Sequence, residues 1–169
     1  AFASPNYPDL GESGIRLDLR KDLLWKEDPS VEFSINTDLD VHMGLMKIFP
    51  GMSRIFIENQ LNTPQMQVMI IEAFGSGNIF MYDWLDELLK KKANEGLIFV
   101  INTQCAGGMV EIGRYETSGI FREINAVNGF DLTTEASVAK TIHLLGQGLS
   151  NEEFRKAYET SLRGELTKV

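Results

Sequence analysis

Gln67-Val68-Met69-Ile70-Ile71-Glu72-Ala73-Phe74-Gly75-Ser76-Gly77-Asn78 sets the architecture expected of the whole chain. Its apolar residues run from Val68 to Ile71 without alternation, so both faces of an extended segment are apolar. A strand of that kind is covered on both sides, as in a parallel sheet. The small residues Gly75-Ser76-Gly77 end the run, and a helical pattern follows. Phe80, Trp84, Leu85, Leu88 and Leu89 recur at helical spacing, with Asp86, Glu87, Lys90, Lys91 and Lys92 on the opposite side. The lysines gather at the C-terminal end, where the helix dipole favours cations, and Gly96 supplies a stop.

The same unit repeats on either side. Val41 to Phe49 is an apolar run closed by Pro50-Gly51, and Leu97 to Ile101 is another, closed by Asn102-Thr103-Gln104-Cys105. A helix is expected from about Ser53 to Leu61, broken by Asn62-Thr63-Pro64. Further helices are expected near Thr117 to Asn125 and from about Thr133 to Leu145, with a brief apolar piece at Ala126-Val127 stopped by Asn128-Gly129. Ser150 followed by Glu153 is a capping-box signature for a last helix through about Leu162. This alternation predicts an α/β fold: a small doubly wound parallel sheet of about four strands with helices on both faces. Residues 1–37 differ, being rich in Pro, Gly, Asp and Ser. Short alternation at Ile15 to Leu19 and at Val31 to Ile35 fits a linker with a short hairpin or edge strand.

The 169 residues have room for one full core, and 43% of them are hydrophobic. No apolar stretch reaches the roughly 20 residues of a membrane span, and Ala1 to Pro8 lack the basic start and apolar run of a signal peptide. A soluble, intracellular protein without membrane partners is expected. A lone Cys105 gives no disulfide framework, and with His42 and His143 it leaves a zinc site short of ligands, so no metal is expected. The net charge of -8 argues against nucleic acid, whose phosphates need a basic face.

In an open parallel sheet, ligands sit beyond the carboxyl ends of the strands. Pro50-Gly51, Gly75-Ser76-Gly77-Asn78 and Thr103-Gln104-Cys105-Ala106-Gly107-Gly108 each follow a strand, so they crowd one edge. Small residues let backbone N–H groups approach a ligand, and Asn78, Thr103, Gln104 and Cys105 add neutral hydrogen-bonding groups. That set suits an amide or a carboxylate more than a metal. Each feature also has a plainer reading. Gly75 to Asn78 lacks the full dinucleotide spacing, because Met81 and Tyr82 stand where a further Gly is needed, so a tight strand-to-helix turn accounts for it. Cys105 is either a nucleophile still lacking a base or a small, half-buried structural thiol. The methionines read as core filler, and Glu111, Arg114, Tyr115 and Glu116 as a solvated loop.

Five collinear motifs carry a resemblance: Ala1-Phe2-Ala3-Ser4-Pro5-Asn6, Phe74-Gly75-Ser76-Gly77-Asn78, Asn102-Thr103-Gln104-Cys105, Gly129-Phe130-Asp131-Leu132-Thr133-Thr134-Glu135-Ala136 and Leu162-Arg163-Gly164-Glu165-Leu166. In this order the chain resembles the C-terminal half of bacterial cytoplasmic-type (type I) L-asparaginases. The resemblance implies an interdomain linker with the end of an N-terminal domain over residues 1–37, and a C-terminal α/β domain over residues 38–169. It implies that the nucleophilic threonines lie in the N-terminal domain, so that no catalytic residue is expected here and no cofactor is needed. It also implies a homodimer or dimer of dimers in which Asn78 reaches toward the neighbouring subunit's substrate, L-asparagine. Regulated members bind an effector asparagine at these turns, which maps onto Gly75, Gly77, Thr103 and Cys105. Where those members carry an arginine, this chain has Glu72. A guanidinium pairs with a ligand carboxylate, whereas a glutamate repels it.

The leading expectation is therefore an L-asparaginase C-terminal domain that is inactive by itself. Alternatives are an amino-acid-binding regulatory or dimerisation module, and a domain of the related amidotransferases that deamidate glutamine. An unrelated amidase using Cys105 ranks last.

Overall fold

The structure is a computed structural model that describes residues 5–24, 26, 29–30, 32–113 and 118–167. The chain divides into two compact units, residues 1–37 and 38–169. In the first, strands β1 (Gly11–Ser13) and β2 (Leu17–Leu19) form the expected hairpin, antiparallel, with Glu12 opposite Asp18. A Cβ at Gly11 would meet Leu19 Cδ2 at 2.8 Å and Asp18 O at 3.2 Å, so the glycine leaves the Leu19 side chain its place against the first strand. The second alternating stretch forms no strand over its described residues 32–35, and Val31 lies outside them. Phe33 and Ile35 are exposed, and alternation without a partner strand makes no ladder.

The second unit contains β3 (Met43–Lys47), α1 (Arg54–Leu61), β4 (Val68–Ala73), α2 (Asp83–Asn94), β5 (Ile98–Thr103), α3 (Gly119–Glu123), β6 (Val127–Asn128), α4 (Thr134–Gly146) and α5 (Asn151–Tyr158). Its four strands lie in the order β3-β4-β5-β6, and every pairing is parallel. Residue alternation sends Met69, Ile71, Phe99 and Ile101 into one core with Ile57, Leu85, Leu89 and Phe121 from α1, α2 and α3. Val68, Ile70, Ile98 and Val100 face the other way, against Leu144, Phe154 and Tyr158 from α4 and α5. Both faces are covered, which is why β4 reads as a continuous apolar run.

Side-chain caps fix the helix starts. Ser53 accepts from Phe56 N at 3.2 Å and Thr133 from Ala136 N at 3.2 Å, while Ser150 and Glu153 form the reciprocal capping box. Several boundaries differ from the sequence reading, and two of the differences have an evident cause. Phe80 precedes α2 and joins a tilted aromatic row with Phe74 and Tyr82, and the Tyr82 ring stacks on Trp84. Helix α5 ends at Tyr158 instead of continuing to Leu162, because the chain turns back onto Lys140. Lys140 Nζ donates to Thr160 O at 2.7 Å and to Glu165 Oε1 at 2.6 Å. The Glu165 carboxylate also accepts from Leu162 N at 3.0 Å and from Arg163 N at 2.6 Å.

Entry into this unit is fixed at α4. Asp40 N donates to Ile142 O at 3.1 Å, and a Cβ on Gly146 would run into Asp38 O.

Candidate functional site

The carboxyl ends of β3, β4 and β5 are tied together by side chains from the turn after β5. Gln104 Nε2 donates to Ile48 O at 2.6 Å, beyond β3, and to Glu72 O at 2.8 Å, on β4. Thr103 Oγ1 donates to Gly75 O at 2.5 Å and accepts from Cys105 N at 3.0 Å. Thus three turns that are distant in sequence are held at one edge, as their position after parallel strands requires.

The turn after β4 is itself closed by two backbone bonds. Phe74 N donates to Asn78 O and Asn78 N to Phe74 O, each at 2.8 Å. Gly75 has φ +50 and Gly77 has φ +109, conformations that disfavour a Cβ. A Cβ on Gly77 would also approach Val110 Cγ1 at 3.1 Å, so this glycine lets the following loop pack closely. Glu111 N donates to Ser76 O at 2.8 Å and completes the loop's seat. Asn78 is half-buried and is presented from a rigid turn.

A second polar group lies beneath the turns on the α4 side of the sheet. Lys47, Glu72 and Asn102 are register partners across β3, β4 and β5. Glu72 is buried, with Thr134 Oγ1 donating to its Oε1 and Lys47 Nζ 3.6 Å from its Oε2. Thr134 opens α4, so the carboxylate sits where the helix dipole favours an anion. Asn102 Oδ1 accepts from Ser137 Oγ at 3.2 Å, and Ser137 Oγ lies 2.5 Å from the Tyr158 hydroxyl. Asn102 Nδ2 is buried without a hydrogen-bond partner among the described residues. Gly129 follows β6 and lies against this amide, and a Cβ there would collide with Asn102 Oδ1 and come within 2.6 Å of Ile101 O.

The structure brings together Gly75, Thr103, Gln104 and the backbone of Cys105. It corrects the burial of Cys105, whose thiol is exposed rather than half-buried, because its turn projects beyond the strand ends. It also separates Cys105 from a base: His42 precedes β3 at the amino ends of the strands, where its Nδ1 lies 2.5 Å from Asp40 Oδ1. His143 lies in the last turn of α4. Arg114, Tyr115 and Glu116, read from sequence as a solvated loop, lie outside the described residues. The Glu72–Thr134 contact is not visible in the sequence, although an acid inside the apolar run 68–74 was its signal. Among the described residues no group of three or more His, Cys, Asp or Glu side chains could hold a metal. No helix among them is long and apolar enough to cross a membrane. A groove of about 450 Å³, lined by Gln67, Lys92 and Leu145 among others, opens at the opposite, amino-terminal ends of β4 and β5.

Fold and edge together define a doubly wound α/β domain with neutral polar groups gathered on strand-end turns. The chain belongs to the Glutaminase/Asparaginase C-terminal domain family, whose model matches residues 42–158. It is 34% identical to L-asparaginase 1 of Escherichia coli (strain K12) over 167 residues, covering 99% of this chain and 49% of that protein. It superimposes with a TM-score of 0.89 on the crystal structure of L-asparaginase I from Vibrio cholerae, at 38% identity, covering 99% of this chain and 50% of that one. A glutamyl-tRNA(Gln) amidotransferase polypeptide of Methanobrevibacter smithii is 25% identical over 168 residues, and the match covers 99% of this chain and 38% of that protein. The chain thus spans about half the length of the L-asparaginases it matches.

Proposed function

We propose that this chain is the C-terminal part of an L-asparaginase, a cytoplasmic enzyme that hydrolyses L-asparagine to L-aspartate and ammonia. The observation that carries this reading is a match to L-asparaginases along 99% of the chain, at a TM-score of 0.89, combined with the cross-tied turns at the strand ends. In the proposed reaction a threonine hydroxyl of an N-terminal domain attacks the amide carbon, ammonia leaves, and water then releases aspartate. No residue of this chain forms a covalent bond to substrate in that scheme.

The contribution of this chain is positional. Asn78 is the proposed contact to the substrate of a neighbouring subunit in a homodimer or dimer of dimers, and the paired Phe74–Asn78 backbone bonds support that role by fixing its direction. Gly75, Gly77, Thr103 and Cys105 form the proposed turn for a small amino-acid ligand at an allosteric site. Residues 1–37 act as the interdomain linker and the end of the N-terminal domain, and residues 38–169 as the Rossmann-like C-terminal domain. No cofactor, nucleic acid or membrane enters this scheme.

The test is ammonia release from L-asparagine by this chain alone and after joining it to the N-terminal half of a family member. The expected result is no release alone and release after joining, lowered at least tenfold by Asn78→Ala. Release by the chain alone overturns the division of labour. The similarity to an amidotransferase favours one second reading, deamidation of glutamine, and the same assay with L-glutamine distinguishes it.

A further inference from the structure

The groove of about 450 Å³ at the amino ends of β4 and β5 lies at the edge of the sheet that the proposed reaction does not use. Helices α1 and α2 connect parallel strands and run back along the sheet, so their carboxyl ends meet here, and α4 ends beside them. Leu61 and Asn62 bring the end of α1 into the groove wall, Lys92 and Glu95 the end of α2, and Leu144 and Leu145 the last turn of α4. Each carboxyl end carries about half a unit of negative charge that a cation stabilises. Helix α2 supplies its own cations: Lys91 and Lys92 lie in its last turn, and Glu95 engages them at 3.8 and 2.8 Å. The last turn of α1 has no basic residue, and that of α4 has only His143.

Carboxylates bonded to the lining segments add to this imbalance. Asp40 Oδ2 accepts from Nε2 of Gln67, a lining residue, at 3.0 Å. Glu153 Oε2 accepts from Ser150 N at 3.0 Å and from Ser150 Oγ at 2.6 Å, and Ser150 stands in sequence between Leu149 and Asn151 of the groove wall. The negative charge is spread rather than gathered at a point, since among the described residues no group of three or more His, Cys, Asp or Glu side chains could hold a metal ion. Partly buried Met66, Leu145 and Leu149 supply apolar wall. A Cβ on Gly96 or Gly148 would meet nothing within 4 Å, so the wall is bare backbone at both and leaves room. Separated positive charges joined by an apolar spacer match this arrangement, and an anion does not.

We propose that this groove binds an aliphatic polyamine. Its ammonium groups rest toward the carboxyl ends of α1 and α4 and the carboxylates of Asp40 and Glu153, with its methylenes on Met66, Leu145 and Leu149. A point cation finds no cage here, and a neutral ligand leaves the helix ends uncompensated. The net charge of -8 favours encounter with a polycation. The proposal does not depend on the asparaginase reading, because it uses the opposite edge of the sheet.

The experiment is calorimetric titration of the full 169-residue chain with spermidine at physiological salt, where diffuse attraction is screened. The expected result is one saturable site. Glu153→Gln keeps the capping box and removes its charge, and is expected to weaken binding about fivefold, the size of an exposed ion pair. Asn62→Lys places a resident ammonium at the carboxyl end of α1, and is expected to weaken binding by at least about fivefold while leaving the melting temperature unchanged or higher. Glu87→Gln, on α2 but outside the groove lining, is expected to leave binding unchanged. Absence of saturable binding, an equal loss in Glu87→Gln and Glu153→Gln, or full displacement of spermidine by an equal concentration of magnesium overturns the proposal. Much tighter binding of a lysine-rich peptide than of spermidine overturns it in favour of a protein partner.

Discussion

Thr103 Oγ1 donates to the carbonyl oxygen of Gly75 at 2.5 Å, joining the residue that ends β5 to the turn that follows β4. The same oxygen accepts from Cys105 N at 3.0 Å, so one hydroxyl orders both turns. Thr103→Val keeps the shape and removes both bonds. We expect a loss of about 1–2 kcal/mol, measured by urea unfolding. A larger loss of ligand affinity at this edge is expected in calorimetry, because the turns lose their mutual register.

Two glycines at the end of α4 separate close packing from backbone conformation. A Cβ on Gly146 runs into Asp38 O, whereas Gly148 has φ +63 and nothing near the position its Cβ would take. Gly146→Ala should cost more than about 3 kcal/mol, because backbone must move to relieve the collision. Gly148→Ala should cost only about 1 kcal/mol of conformational strain. Equal losses on thermal unfolding would contradict the packing of residue 38 against α4.

Acid should unfold the C-terminal turn in a defined window. Burial by itself raises the Glu165 carboxyl, but the Leu162 N–H, the Lys140 ammonium and the Arg163 N–H outweigh it and hold the group down to about 2, against an ordinary 4.5. A depressed folded value means that the stabilisation is complete above the unfolded value and lost as pH falls toward the folded one. Stability should therefore drop between about pH 4.5 and 2. Glu165→Gln should flatten that part of the profile, while lowering stability at neutral pH by leaving Lys140 half-satisfied.

Alkali acts through a different buried group. Burial pushes the Tyr158 phenol up to about 12 from 10.0, with the bond to Ser137 opposing the shift. A raised folded value stabilises below the unfolded one and loses that contribution as pH rises from about 10 toward 12. Tyr158→Phe should remove this alkaline step in the melting temperature.

Ser137 connects Asn102 to Tyr158 inside the core, and its hydroxyl serves both. Ser137→Ala strands the buried Asn102 Oδ1, while the Tyr158 hydroxyl keeps its longer bond to Ser137 O at 3.4 Å, and should cost about 1–2 kcal/mol in urea unfolding. Thr141→Val removes a bond to a helix carbonyl that keeps a backbone partner, and should cost under about 1 kcal/mol.

The parallel sheet, the starts of α1, α4 and α5 and the crowding of three turns at one edge were legible along the chain. Each follows from short-range rules: Val68 to Ile71 is apolar on both faces, Ser53, Thr133 and Ser150 cap the residues just after them, and a turn after a parallel strand has one edge to occupy. The helix ends were less legible. Nothing between Glu159 and Leu162 forbids a helix, and α5 stops because Lys140, on another helix, binds Thr160 O and Glu165. The character of the edge came from tertiary packing. Glu72 meets Thr134 across 62 positions, and Gln104 meets the carbonyls of Ile48 and Glu72 across 56 and 32. Local periodicity carries no information at those separations. Strand register and the seating of α4 on the sheet set which side chains meet, so the burial of Glu72 and the exposure of Cys105 follow from packing.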